Sequence, residues 1–260
     1  MKTSTFFVGC LAAGSFLLAA CSHIDEDDRL IYVEPTEAQR VVLVEDFTGQ
    51  KCKNCPDATD VLNDVLKTYG EENVIPVAIH CGPYGINSGL VTETGKTYWS
   101  AFFGDTQGQP VAKINRGAAN AYLRSWAKAI AEEMTRPTEV CLRVSSAYDA
   151  DTRQMTLTTT LLGKAGEEQK LQLWLTEDGI VAPQTLSDGS VNREYVHNHV
   201  LRQALNGDWG ETFTFGEDEV KMEHQITLDE KYVAENCHIV AFTYTEGKGV
   251  TQAAKAKVVE

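Results

Sequence analysis

Apolar positions along this chain follow two regimes. Residues 41–47 read Val-Val-Leu-Val-Glu-Asp-Phe, a continuous apolar run closed by acids, as a parallel strand covered on both faces requires. Ala58, Val61, Leu62, Val65, Leu66 and Tyr69 then recur at helical spacing, with Pro56 suited to the first turn and Gly70 to the stop. A second apolar run at 74–81 completes a strand-helix-strand unit whose crossover should be right-handed. A short helix over 93–103 follows, then a strand that opens on Pro110 and runs to Arg116. The next helix carries Tyr122, Leu123, Trp126, Ile130 and Met134 on one face, is capped by Asn120 and ends before Pro137.

Beyond Pro137 the period becomes two: Val140, Leu142 and Val144; Met155, Leu157 and Leu161; Leu171, Leu173 and Leu175; Val240, Phe242 and Tyr244; Ala254, Ala256 and Val258. These are half-buried antiparallel strands separated by turn residues, so a β-sandwich is predicted over 138–260. Residues 182–216 have no clear period and read as a long functional loop.

Lys2 followed by an apolar run at 6–18 reads as an export signal, too short to span a bilayer. It ends Leu18-Ala19-Ala20-Cys21, which resembles the bacterial lipobox and implies lipid attachment at Cys21 as the first mature residue. By the same resemblance Ser22, which is not aspartate, favours the outer membrane, with the periplasmic and surface-facing leaflets both open. The acidic run Asp25 to Asp28 reads as solvated linker or as a surface-export tether. The expected organisation is therefore a signal peptide at 1–20, a tether at 21–39, an α/β domain at 40–137 and an all-β sandwich at 138–260. The net charge of −14 disfavours nucleic acid as a partner and disfavours binding to anionic lipid by charge alone.

Of seven cysteines, Cys10 goes with the signal and Cys21 takes lipid. Cys52-Lys53-Asn54-Cys55-Pro56 sits between the first strand and the first helix, where two thiols can close a small disulfide ring and a helix N-terminus favours the thiolate. A purely structural disulfide fits the same spacing. Cys81 ends a strand beside that of the pair and is either an accessory redox thiol or a buried inert cysteine. Cys141 and Cys237 fall on predicted strands and could bridge. No second Cys-x-x-Cys completes a zinc site, and no metal or other cofactor is expected; His197 and His199 share a face only if their segment is a strand.

Residues 41–116 resemble the thioredoxin fold in element order, in the Cys-x-x-Cys and in the proline-led strand. That resemblance implies Cys52 as exposed nucleophile, Cys55 as resolving cysteine, Asp46 as the buried proton acceptor and Pro110 as a cis-proline packed across the disulfide. An exposed acid at Asp46 and a trans-proline at Pro110 are the plainer alternatives. Lys51 stands where thioredoxins have tryptophan, and Lys53-Asn54 where they have Gly-Pro. The lipobox, Glu45-Asp46-Phe47-Thr48-Gly49, Ile114-Asn115-Arg116 and the run from Tyr195 to Arg202 together resemble the outer-membrane lipoprotein family named for a twenty-eight-kilodalton protein. The expected function is membrane-tethered thiol-disulfide exchange on exported proteins. The rival is a non-catalytic binding lipoprotein whose Cys52–Cys55 bridge is structural.

Overall fold

The computed structural model describes residues 39–87, 89–104 and 106–259. The predicted export signal, Cys21 and the acidic run at 25–28 lie outside the described residues. Strand β1 (Val42–Thr48) pairs in parallel with β2 (Val74–His80) and antiparallel with β3 (Val111–Ile114), which pairs with the two-residue β4 (Ala119–Asn120). Helix α1 (Cys55–Tyr69) connects β1 to β2, with Pro56 in its first turn and Gly70 at its end in a positive-φ conformation that suits glycine. Helix α2 (Glu93–Phe103) starts where the Thr92 hydroxyl accepts from the Gly95 N–H. Helix α3 (Trp126–Met134) begins later than expected. A 3-10 turn precedes it, and Asn120, rather than capping the helix, lies in β4, where its carbonyl accepts from the Trp126 indole.

The remaining strands are β5 (Cys141–Asp149), β6 (Gln154–Leu162), β7 (Glu168–Glu177), β8 (Ile180–Thr185), β9 (Val191–His197), β10 (Val200–Ala204), β11 (Glu211–Thr214), β12 (Val220–Thr227), β13 (Cys237–Thr245) and β14 (Gly249–Lys257). Residues 182–216, expected to be a loop, thus hold parts of four strands. The nine-stranded sheet runs β14-β13-β7-β10-β2-β1-β3-β4, with β11 also paired to β7. A three-stranded sheet, β12-β6-β5, packs against it, and β8–β9 is a separate hairpin.

This arrangement corrects the expected fold class. No α/β thioredoxin-like N-terminal domain stands apart from a sandwich: fourteen strands dominate three α-helices among the described residues. β10 enters between β2 and β7, parallel to the first and antiparallel to the second, so one sheet runs through. Its side chains explain the continuity. On one face Leu171, Leu173, Leu175, Ile239 and Ala241 meet Met155, Leu157 and Leu161 of the small sheet, as in a sandwich. On the other face Trp174, Val240 and Phe242 join Phe47, Ile75, Ile79 and α2's Tyr98 and Trp99 in a single cluster, which β1 and β2 could not fill alone. A third cluster holds α1 and α3 against β1 and β3 through Val42, Val44, Leu62, Trp126 and Ile130. Every residue of β1 is buried, Glu45 and Asp46 included, which places two carboxyl groups in the interior.

Candidate functional site

The sequence places the cysteine pair at the junction of β1 and α1, and the geometry there is local. The Cys52 N–H donates to the Gly49 carbonyl at 2.9 Å, Cys55 is the first residue of α1, and the two are joined as a disulfide with their Cα atoms 5.4 Å apart. Lys51, Lys53 and Asn54 are exposed around them. Cys52 itself is not the exposed nucleophile that was expected. It is 3% exposed and Cys55 2%.

The loop before α1 is clamped from two sides. On one, the Lys51 N–H donates to the Tyr84 carbonyl, and a Cβ on Gly49 would stand 2.5 Å from the Tyr84 backbone, so that position needs glycine. On the other lies the β8–β9 hairpin. The Gln184 side-chain amide donates to the Cys52 carbonyl at 2.9 Å and to that of Gly49 at 3.4 Å. The Thr185 N–H donates to the Gln50 carbonyl, and the Gln50 amide to that of Pro183. Gln184 and Gln50 are both buried.

Asp46 is buried between Ala78 of β2 and Ala112 of β3, not an exposed acid at the strand end. Its Oδ1 has no hydrogen-bond partner, and burial raises its pKa to about 7. Asp46 and Cys55 line the same partly open pocket with Tyr195, Gln184, His80 and His197. That cavity measures about 40 Å³, enough to hold ordered water. His80 is held neutral, its pKa lowered to about 3 by burial and then by the neighbouring His197 and Arg202 charges. Its ring lies 5.1 Å from that of His197, edge to face.

The Gln109–Pro110 peptide is cis. Gln109 is buried, its amide donating to the carbonyls of Thr48 and Cys81, so the proline loop is tied to the ends of β1 and β2. Between this loop and the start of α1 lies an open groove of about 300 Å³, lined by Asn54, Asp57, Gln109, Pro110 and Leu123.

Cys81 is fully buried, its thiol contacting the Ile79 carbonyl; burial, and after it the Asp46 charge, push its pKa up, so it stays a thiol at neutral pH. Cys141 and Cys237 are free, so the bridge considered between them is absent. His197 and His199 do not share a face: His197 turns in beside His80, whereas His199 stands 3.3 Å from Asp178. Among the described residues no group of three or more His, Cys, Asp or Glu could hold one metal ion, and no helix is long and apolar enough to cross a membrane.

Gln184, His80 and Gln109 were not singled out from the sequence. The alternation flanking Asp188-Gly189, a favoured hairpin turn, marks β8 and β9 and would have located Gln184. A histidine inside the apolar run of β2 is the corresponding mark for His80.

A family model described as outer membrane protein Omp28 matches residues 96–260. No curated protein matches the chain. Among solved structures, an Agrobacterium tumefaciens protein known from its crystal structure aligns with a TM-score of 0.54 at 16% identity, covering 86% of this chain and 97% of that one; the likeness shows a shared fold. The sporulation control protein Spo0M of Bacillus subtilis aligns at a TM-score of 0.31 and 12% identity, over 46% of this chain and 48% of its own.

Proposed function

We propose, for a chain that belongs to the Omp28 outer membrane protein family and so associates with the outer membrane, a lipid-anchored protein that exchanges disulfides with exported proteins through Cys52 and Cys55. The observation that carries this reading is the unpartnered carboxyl of Asp46, in one cavity with Cys55 and with a pKa near neutrality. A carboxyl of that kind can hold or release a proton at the pH where thiols exchange.

In the oxidising direction a substrate thiolate attacks Sγ of Cys52. The Cys52–Cys55 bond breaks, its electron pair leaves on Cys55, and protonated Asp46 supplies the proton that makes Cys55 a thiol. A second substrate thiolate then attacks the substrate sulfur of the mixed disulfide and releases Cys52 as a thiolate. The substrate loses two electrons and the pair gains them. Run backwards, the same steps reduce a substrate disulfide, with Asp46 carboxylate taking the Cys55 proton. The groove beside Pro110 reaches Asn54, between the two cysteines, but neither cysteine lines it, so Cys52 must be uncovered for attack. Lipid on Cys21 would hold the site at the membrane.

Insulin reduction driven by dithiothreitol tests the assignment. Cys52→Ser should abolish turnover, and Cys55→Ser should accumulate mixed disulfides visible on non-reducing gels. Normal turnover by Cys52→Ser would sink it.

The burial of Cys52 favours a second reading, a non-catalytic binding lipoprotein whose disulfide is structural. Its signature is a reduction potential below about −300 mV, out of range of exchange with ordinary thiols.

A further inference from the structure

A second cleft, sharing no lining residue with the disulfide cavity, opens on the face of the large sheet that carries α2. We propose that it binds a sugar bearing one carboxylate or phosphate, independently of any exchange at the cysteines. Its volume is about 520 Å³, within the range of roughly 300–1,000 Å³ typical of small-molecule sites.

Three cations line it, Lys113, Arg116 and Lys170, in a chain whose net charge is −14. A cationic cleft on so acidic a protein selects for a negatively charged occupant. Arg116 is held from behind by Glu45, Nε to Oε1 at 3.3 Å, and its Nη2 is buried without a partner. Glu45 therefore offsets one positive charge and Glu246 at the rim a second, which suits an anion of low charge.

The walls are aromatic. The Arg116 guanidinium lies 4.3 Å from the centroid of Tyr244 and 5.7 Å from that of Trp209, and the Lys113 ammonium 5.0 Å from that of Phe102. The Tyr244 hydroxyl donates to the Trp209 carbonyl at 2.6 Å, fixing the two rings relative to each other. The turn that presents Arg116 is equally fixed: Asn115, at positive φ, donates its N–H to the Leu43 carbonyl and accepts from the Val250 N–H. Gly249 allows the close approach, since a Cβ there would stand 2.5 Å from the Asn115 carbonyl.

Glu246 decides between ring types. A carboxylate in the lining repels any anionic ligand but accepts hydrogen bonds from ring hydroxyls, which a simple aromatic acid lacks, so a polyhydroxylated ring is the better occupant. Its C–H faces can pack on Trp209 while its anionic group meets Lys113 and Lys170.

Tryptophan fluorescence reads this site, because Trp209 lines the cleft and is partly exposed, and the buried Trp174 ring also lies 5.7 Å from the Arg116 guanidinium. The full chain is titrated with glucuronate and with glucose 6-phosphate, and in parallel with glucose and with inorganic phosphate. A saturable change with a dissociation constant of about 1 mM or tighter is expected for at least one of the two acidic sugars. Which one responds identifies the anionic group. Lys170→Gln, at a half-buried position on the cleft wall, should weaken that binding about tenfold or more, and Trp209→Phe should remove the Trp209 part of the signal. The proposal is overturned if neither acidic sugar saturates by about 10 mM, if glucose or phosphate alone binds as tightly, or if Lys170→Gln has no effect.

Discussion

Replacing Asp46 by asparagine should change how stability depends on pH. The folded carboxyl titrates at about 7 against an ordinary value of 3.8, a rise of about three units caused by burial. Each unit is worth about 1.4 kcal/mol, so the ionised carboxylate costs the fold roughly 4 kcal/mol once the pH exceeds both values. The sign follows from proton counting. Between 3.8 and 7 the native state holds a proton that the unfolded chain has lost, so stability falls as pH rises through this window and levels off above 7. Asparagine keeps the shape and does not titrate. Urea unfolding of both proteins at several values from pH 5 to 8, with the disulfide intact, gives a difference curve in which the other titrating groups cancel. Asp46→Asn should gain on the parent by about 2.5 kcal/mol across that range. A flat difference curve would mean that the carboxyl is solvated or partnered, and would remove the proton acceptor from the exchange mechanism.

Two further outcomes test the surroundings. Gln184→Ala removes the amide that ties the hairpin to Cys52 and Gly49, a loss of about 1–2 kcal/mol. If hairpin opening gates the disulfide, its reduction by dithiothreitol should quicken roughly five- to thirtyfold, followed by alkylation and mass spectrometry; an unchanged rate would show that the hairpin is not the cover. For the buried Glu45–Arg116 pair, Arg116→Met or Glu45→Gln alone should cost about 3–5 kcal/mol in urea unfolding, and the double variant should recover much of it. Additive losses would show that the two groups do not neutralise each other.

What the sequence revealed was local, and what it hid was not. The apolar run of β1, the helical spacing of α1 and the match of α2 to residues 93–103 depend on neighbours a few positions away, and their boundaries were legible within a residue or a few. The cysteine pair was legible for the same reason. The burial of Cys52 was not, because the strand that lies against its loop is more than a hundred residues distant, and Gln184 sits in a segment whose two short strands are broken by a register shift. Nor was the continuity of the sheet. β10 is only five residues long, and its choice of β2 and β7 as neighbours is made by the cluster around Leu201 and Trp174, a tertiary event that alternation cannot announce.

That late strand has a consequence for the birth of the molecule. β2 is synthesised about 120 residues before β10, and until Val200 arrives both it and β7 present a bare backbone margin to any passing chain. Pairing across so great a separation is slow. A nascent or clipped polypeptide ending short of this keystone would be sticky rather than merely incomplete, so holdase chaperones should bind it far longer than the full-length product.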